Sequence, residues 1–138
     1  MRDLRGAKSV GVISEDEELG ITEIARPVGV VAAVTPSTNP VATPTNNTLN
    51  ALKGRNAIII APSPAGEKVC SRLLQYFHEE LRRIGAPVDL IQQLPSPVDK
   101  IRTIELMKLA DWLIVTGSQS NVRAAYSSGT PTIGVGAG

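Results

Sequence analysis

From Val28 onward, short apolar runs alternate with stretches whose apolar residues recur every three or four positions. Val28-Gly29-Val30-Val31-Ala32-Ala33-Val34 is continuous enough to be a strand buried on both faces. Asn39-Pro40 then reads as a helix cap with a first-turn proline, opening a helix to about Leu52, with a restart at Thr43-Pro44 as the alternative. Ala57-Ile58-Ile59-Ile60-Ala61 is a second buried strand. Ser63-Pro64 repeats the cap signal, after which Val69, Leu73, Leu74, Phe77, Leu81 and Ile84 share one helical face until Gly85. Leu90 to Leu94 is a weaker strand, and Ser96-Pro97 caps a third helix to about Leu109. Trp112 to Val115 is the fourth strand; Gly117-Ser118 opens a helix to about Tyr126; Thr132 to Val135 is the fifth strand.

Such alternation predicts an α/β fold: a Rossmann-like, doubly wound parallel sheet of about five strands with helical crossovers. The first residues differ. Ser9 to Ile13 and Ile21 to Ala25 flank the acidic run Glu15-Asp16-Glu17-Glu18, which predicts an N-terminal β-hairpin outside the alternation. The chain therefore divides into an N-terminal segment over 1–26 and a Rossmann-like domain over 27–138.

Composition narrows the function. With 14 basic and 13 acidic residues in 138, no strong field draws the chain to nucleic acid or to an anionic membrane. No run approaches the roughly 18 apolar residues of a membrane span, and the start lacks the apolar core of a secretory signal. The lone Cys70 cannot form an internal disulfide, which fits a reducing compartment. The expectation is a cytoplasmic protein.

In open parallel sheets, ligands bind beyond the carboxyl ends of the strands. That selects the loops Thr35 to Asn39, Pro62 to Gly66, Thr116 to Gln119 and Gly134 to Gly138. Their small and polar residues lead into helix N-termini whose free N–H groups favour phosphate, or they are ordinary caps and turns. Gly134-Val135-Gly136-Ala137-Gly138 is not a dinucleotide fingerprint, because that motif follows the first strand of its unit. Cys70 and His78 lie eight residues apart on one helix, about 12 Å, too far for a nucleophile and its base. No cluster has metal-ligand spacing.

Three stretches carry a family likeness. They run from Ile24 to Pro40, from Leu52 to Pro64, and from Val122 to Pro131 with the glycine-rich end. In this order they resemble the aldehyde dehydrogenase superfamily, and within it the CoA-acylating branch of acetaldehyde and sulfoacetaldehyde dehydrogenases. The resemblance implies a site for NAD or NADP formed by Thr35, Pro36, Ser37, Thr38, Pro62, Ser63, Gly117, Ser118 and Gly134. It puts the Thr35 to Asn39 loop near the nicotinamide, with Gly117 and Ser118 approaching the pyrophosphate or nicotinamide ribose. Hydrolytic relatives use an asparagine of the first loop as oxyanion donor. Thr38 occupies that column here and Asn39 the next, so Asn39 is the candidate donor.

Two departures from the hydrolytic relatives stand out. Their lysine and glutamate on the adenosine ribose are replaced by Ala61 and Pro64, leaving NAD versus NADP open. Their general base is replaced by Gly134, which implies acyl transfer to CoA in place of hydrolysis. The family's nucleophilic cysteine lies beyond the glycine-rich turn, so the chain is expected to be a cofactor-binding fragment or a stand-alone remnant, inactive alone. The parent enzyme is expected to be a homo-oligomer acting on a short aldehyde and CoA, and the run from Ser118 to Arg123 looks more like the sulfoacetaldehyde type. The alternatives are a non-catalytic interaction module and a relative of the acyl-phosphate reductases.

Overall fold

A computed structural model describes residues 4–136. Strands β1 (Gly11–Asp16) and β2 (Ile21–Ala25) form an antiparallel hairpin of their own. The sheet and its crossovers follow as β3 (Val30–Thr35), α1 (Ala42–Lys53), β4 (Ala57–Pro62), α2 (Glu67–Arg83), β5 (Ile91–Gln93), α3 (Lys100–Leu109), β6 (Trp112–Gly117), α4 (Gln119–Tyr126) and β7 (Thr132–Gly136).

The sheet order is β5-β4-β3-β6-β7, and every pairing in it is parallel. The chain builds outward from β3 to β5, then returns to the other side of β3 for β6 and β7. That reversal leaves a topological switch point between β3 and β6, where crossovers leave in opposite directions and a crevice opens.

Alternation of side chains explains the two layers. Val31 and Ala33 of β3 join Ile58, Ile60, Cys70, Leu74 and Leu81 in the core under α1 and α2. Ala32 and Val34 face the other way, with Leu106, Met107, Leu113, Val115 and Val122 under α3 and α4. A strand covered on both faces reads as an unbroken apolar run, which is why 28–34 and 57–61 carry no polar interruption.

Side chains from neighbouring loops clamp the start of β3. Asn56 Oδ1 accepts from the N–H groups of Val28 (2.6 Å) and Gly29 (3.1 Å), and Asp111 Oδ2 accepts from Val30 N–H (2.8 Å). Gly29 has φ +116°, and a β-carbon there would collide with the Asp111 carboxylate. The short edge strand β5 is covered by side chains: His78 Nε2 donates to the Ile91 carbonyl (2.7 Å), and Gln93 Nε2 donates to the Ser71 hydroxyl (2.9 Å).

Two helix starts differ from the sequence expectation. α1 begins at Ala42, not at Asn39-Pro40, and Val41 stands at its cap without a side-chain hydrogen bond. A helix begun at Pro40 would need Pro44 to donate to the Pro40 carbonyl, and proline has no N–H. The first available bond is Thr45 N–H to Val41 O (3.0 Å), reinforced by the Thr45 hydroxyl to the same oxygen (2.7 Å). Pro44 thus lies within the first turn rather than restarting the helix.

α3 begins at Lys100, with Asp99 and not Ser96 as its cap. Ser96 precedes a cis Pro97, and the Asp99 carboxylate takes the Arg102 N–H (2.8 Å). Ser63 caps as expected, but its partner is Gly66 N–H in a 3₁₀ turn that leads into α2.

Candidate functional site

The carboxyl ends of β3, β4 and β6 converge on a cleft of about 650 Å³. Its first wall is the loop after β3, Thr35 to Thr38. Ser63 N–H donates to the Thr35 carbonyl (3.0 Å), continuing the β3–β4 ladder by one bond and holding the loops after both strands side by side. Ala61, Pro62, Ser63 and Pro64 form the second wall.

The third wall starts at Gly117. Its φ of +147° lies in a region that L side chains rarely adopt, and a β-carbon there would stand 3.9 Å from Pro36 Cβ. Glycine keeps the end of β6 low and open beside the first loop. Ser118 then caps α4, accepting from Asn121 N–H (3.3 Å) while its hydroxyl hydrogen-bonds that of Ser120 (2.9 Å). The backbone N–H groups of this first helical turn thus open toward a cleft lined by Gly117, Ser118, Ser120 and Asn121.

Thr35, Pro36, Ser37, Thr38, Pro62, Ser63, Gly117 and Ser118, eight residues from three separated segments, all line this one space. Asn39 and Gly134 do not. Asn39 is exposed just past the rim, between Thr38 and the turn into α1. Gly134 faces α4: a β-carbon there would come within 3.0 Å of both Val122 Cγ1 and Tyr126 Cε2. The glycine therefore has a packing reason. Of the glycine-rich end, Val135 and Gly136 do border the cleft, and Ala137 and Gly138 lie outside the described residues.

Sequence reasoning missed the start of α3. Val98, Asp99, Lys100 and Thr103 close the remaining side of the cleft. Val98 N–H reaches the Glu67 carboxylate at the start of α2 (3.3 Å), which fixes this segment beside the Ala61 to Pro64 loop. Hydrogen bonds from the Ser96 side chain and Val98 N–H hold the Glu67 carboxyl below its ordinary range. A lysine immediately after a capping aspartate was the available signal.

The chemistry of the cleft is that of binding. No cysteine or histidine lines it. Cys70 is fully buried in the core under α1 and α2, where burial pushes its thiol up to about 11, so no thiolate is at hand near neutral pH. Among the described residues no group of His, Cys, Asp and Glu can hold a metal ion, and no helix is long and apolar enough to cross a membrane. One polar atom of the wall is unanswered: Thr35 Oγ1 is buried without a hydrogen-bond partner.

The family model for the aldehyde dehydrogenase family matches residues 2–133. The chain belongs to the aldehyde dehydrogenase family. The acylating sulfoacetaldehyde dehydrogenase of Cupriavidus necator is 60% identical over 138 residues, all of this chain and 28% of that protein. An acetylating aldehyde dehydrogenase from Geobacillus thermoglucosidasius superimposes with a TM-score of 0.93 at 42% identity, over 99% of this chain and 30% of that one. These relatives place the chain in the CoA-acylating branch.

Two ligand-bound relatives are similar over 82% of this chain and 26% of their own. A Rhodopseudomonas palustris propionaldehyde dehydrogenase holds CoA and an acylated cysteine (TM-score 0.75, 32% identity), and an engineered glycolyl-CoA reductase holds NADP⁺ (TM-score 0.78, 30% identity). The chain spans about 30% of the length of its relatives.

Proposed function

We propose that this chain is the nicotinamide-cofactor-binding segment of a cytoplasmic CoA-acylating aldehyde dehydrogenase, which oxidises a short aldehyde of the acetaldehyde or sulfoacetaldehyde type to its acyl-CoA. The observation that carries this reading is the convergence of the eight residues named above on one cleft at the switch point of the sheet. The N-terminal turn of α4 offers backbone N–H groups to the pyrophosphate, and Gly117 lets it come close. When bound, the cofactor supplies hydride acceptance. This chain's residues bind and orient it, with the Thr35 to Thr38 loop at the reacting end and Asn39 as candidate oxyanion donor if that loop shifts by one position.

The sulfoacetaldehyde type is favoured over the acetaldehyde type by the 60% identity to the acylating sulfoacetaldehyde enzyme. The 138 residues alone are expected to be inactive, because their single cysteine is buried in the core away from the cleft. The relatives named above give no support to the acyl-phosphate reductase alternative.

An interaction role attaches to the hairpin rather than to the cleft. Val12, Leu19, Ile21 and Ile24 are exposed on β1, its turn and β2, a surface suited to burial between copies in a homo-oligomer. Calorimetric titration of the chain with NAD⁺ and NADP⁺ tests the cofactor reading. The parent chain binds at least one of them, and Gly117→Val, which forces a branched side chain into φ +147°, weakens that binding severalfold or more. Equal affinity in a folded Gly117→Val variant would remove the proposed site.

A further inference from the structure

We propose that α1 rests on β3 through a small hydrated site, in which roughly one or two ordered waters join the hydroxyls of Thr35 and Thr48 to the amide of Asn47. These waters tie the first wall of the cleft to the helix that follows it, whatever ligand the cleft binds.

Thr35, Asn47 and Thr48 are the buried polar residues among those described, at 2%, 6% and 0% exposure. Each keeps a side-chain atom, Thr35 Oγ1, Asn47 Nδ2 or Thr48 Oγ1, without a hydrogen-bond partner among the described residues, although buried polar groups are almost always paired. They also face one layer. Val31 and Ala33 lie in the core under α1 and α2, so strand alternation turns Thr35 to the same side. α1 packs on β3 and β4, and its buried residues are Pro44, Asn47, Thr48 and Ala51. Because a crossover between parallel strands runs back along the sheet, the first turns of α1 lie over the carboxyl end of β3, where Thr35 is the last residue. Helical side chains lean toward their own N-terminus, which brings Asn47 and Thr48 toward Thr35.

The donor set selects water. Asn47 Nδ2 only donates, while each hydroxyl donates or accepts. An amide N–H repels a cation, so a metal ion does not fit these atoms. Water accepts from Nδ2, donates to a hydroxyl, and spans polar atoms roughly 5–6 Å apart through hydrogen bonds of about 2.8 Å. A buried water makes about three such bonds. Pro44 and Ala51, the other buried residues of α1, carry no polar side-chain atom that could replace it. Thr35 is then held from two sides, since its carbonyl already takes Ser63 N–H (3.0 Å). The hydroxyls of Thr35 and Thr48 thereby position the loop Thr35 to Thr38 along the cleft.

The test is ¹⁷O relaxation dispersion of water in solutions of the parent chain, Thr35→Val, Thr48→Val and the double variant, beside urea denaturation of each. The dispersion counts waters that stay on the protein longer than it tumbles. Thr35→Val and Thr48→Val each lower its amplitude by about one water, whereas Thr48→Ser, which keeps the hydroxyl, does not. Valine matches threonine in shape, so each urea midpoint falls through loss of the bridge, and the double variant falls by less than the two shifts added together. The Ser37 amide resonance moves in Thr48→Val as it does in Thr35→Val. An amplitude unchanged in both valine variants overturns the site, as does a midpoint raised by Thr48→Val, the result expected of a hydroxyl with no partner at all. Additive midpoint shifts overturn the bridge. No cofactor enters these measurements, so their failure leaves the cofactor reading standing.

Discussion

Replacing Gly134 by alanine tests the reason for a glycine in the last strand. The added β-carbon would stand 3.0 Å from Val122 Cγ1 and 3.0 Å from Tyr126 Cε2, a few tenths of an ångström inside ordinary contact. Tyr126 is 60% exposed and can swing away, but Val122 is 8% exposed and fixed in the core between α4 and the sheet. Overpacking of this kind costs about 1–3 kcal/mol. Removing a glycine from the unfolded chain returns about 0.4–1 kcal/mol, leaving a net loss of about 1–2 kcal/mol. Urea denaturation followed by circular dichroism should show a lower midpoint at unchanged slope.

Val122→Ala in the same background opens the space, so the double variant should lose at least about 1 kcal/mol less than the two single losses added together. Gly136→Ala is the internal control. The three atoms nearest its β-carbon all belong to the terminal amide of Gln119, the far end of a flexible side chain, so the cost should be smaller than at Gly134 and show no coupling to Val122. A neutral Gly134→Ala variant without coupling to Val122 would refute the packing argument. The same geometry predicts that a glutamate at 134 is driven against α4 rather than into the cleft.

Asp99→Ala should destabilise the chain by about 1 kcal/mol through loss of the α3 cap, read as a lowered urea midpoint, whereas Ser96→Ala should not reproduce that cap effect. The Cys70 thiol ionises near its ordinary 9.0 in the unfolded chain and near 11 in the folded one, so its contribution to stability is fully present below pH 9 and is lost as pH rises through 11. Thiolate absorbance should therefore remain low in the folded protein at pH 9–10 and appear with unfolding. The 138-residue chain mixed with sulfoacetaldehyde, CoA and either cofactor should give no cofactor reduction; turnover abolished by Cys70→Ser would overturn the assignment of Cys70 to the core.

The sheet was legible because strands buried on both faces must be apolar at every position, and 28–34, 57–61 and 112–115 are. Most of the candidate site was legible for a topological reason: parallel strands put their following loops at one end, so loops far apart in sequence share a cleft. Helix starts were less so. Around 39–44 several proline and polar signals overlap, and the one that decided was the missing N–H of Pro44. The packing role of Gly134 was not legible because its neighbours, Val122 and Tyr126, belong to a preceding helix and meet it only in the fold. The α3 start escaped notice because its role depends on the bond from Val98 to Glu67, 31 positions away.

The central claim is that the cleft at the β3–β6 switch point binds a nicotinamide dinucleotide. Its most direct test is amide chemical-shift mapping of the ¹⁵N-labelled chain during titration with NAD⁺ and NADP⁺. The account predicts saturable shifts at Thr35, Ser37, Ser63, Lys100, Gly117 and Ser118, with the hairpin of Gly11 to Ala25 unmoved. Saturable shifts confined to that hairpin, or no shifts with either cofactor in a folded chain, would contradict it.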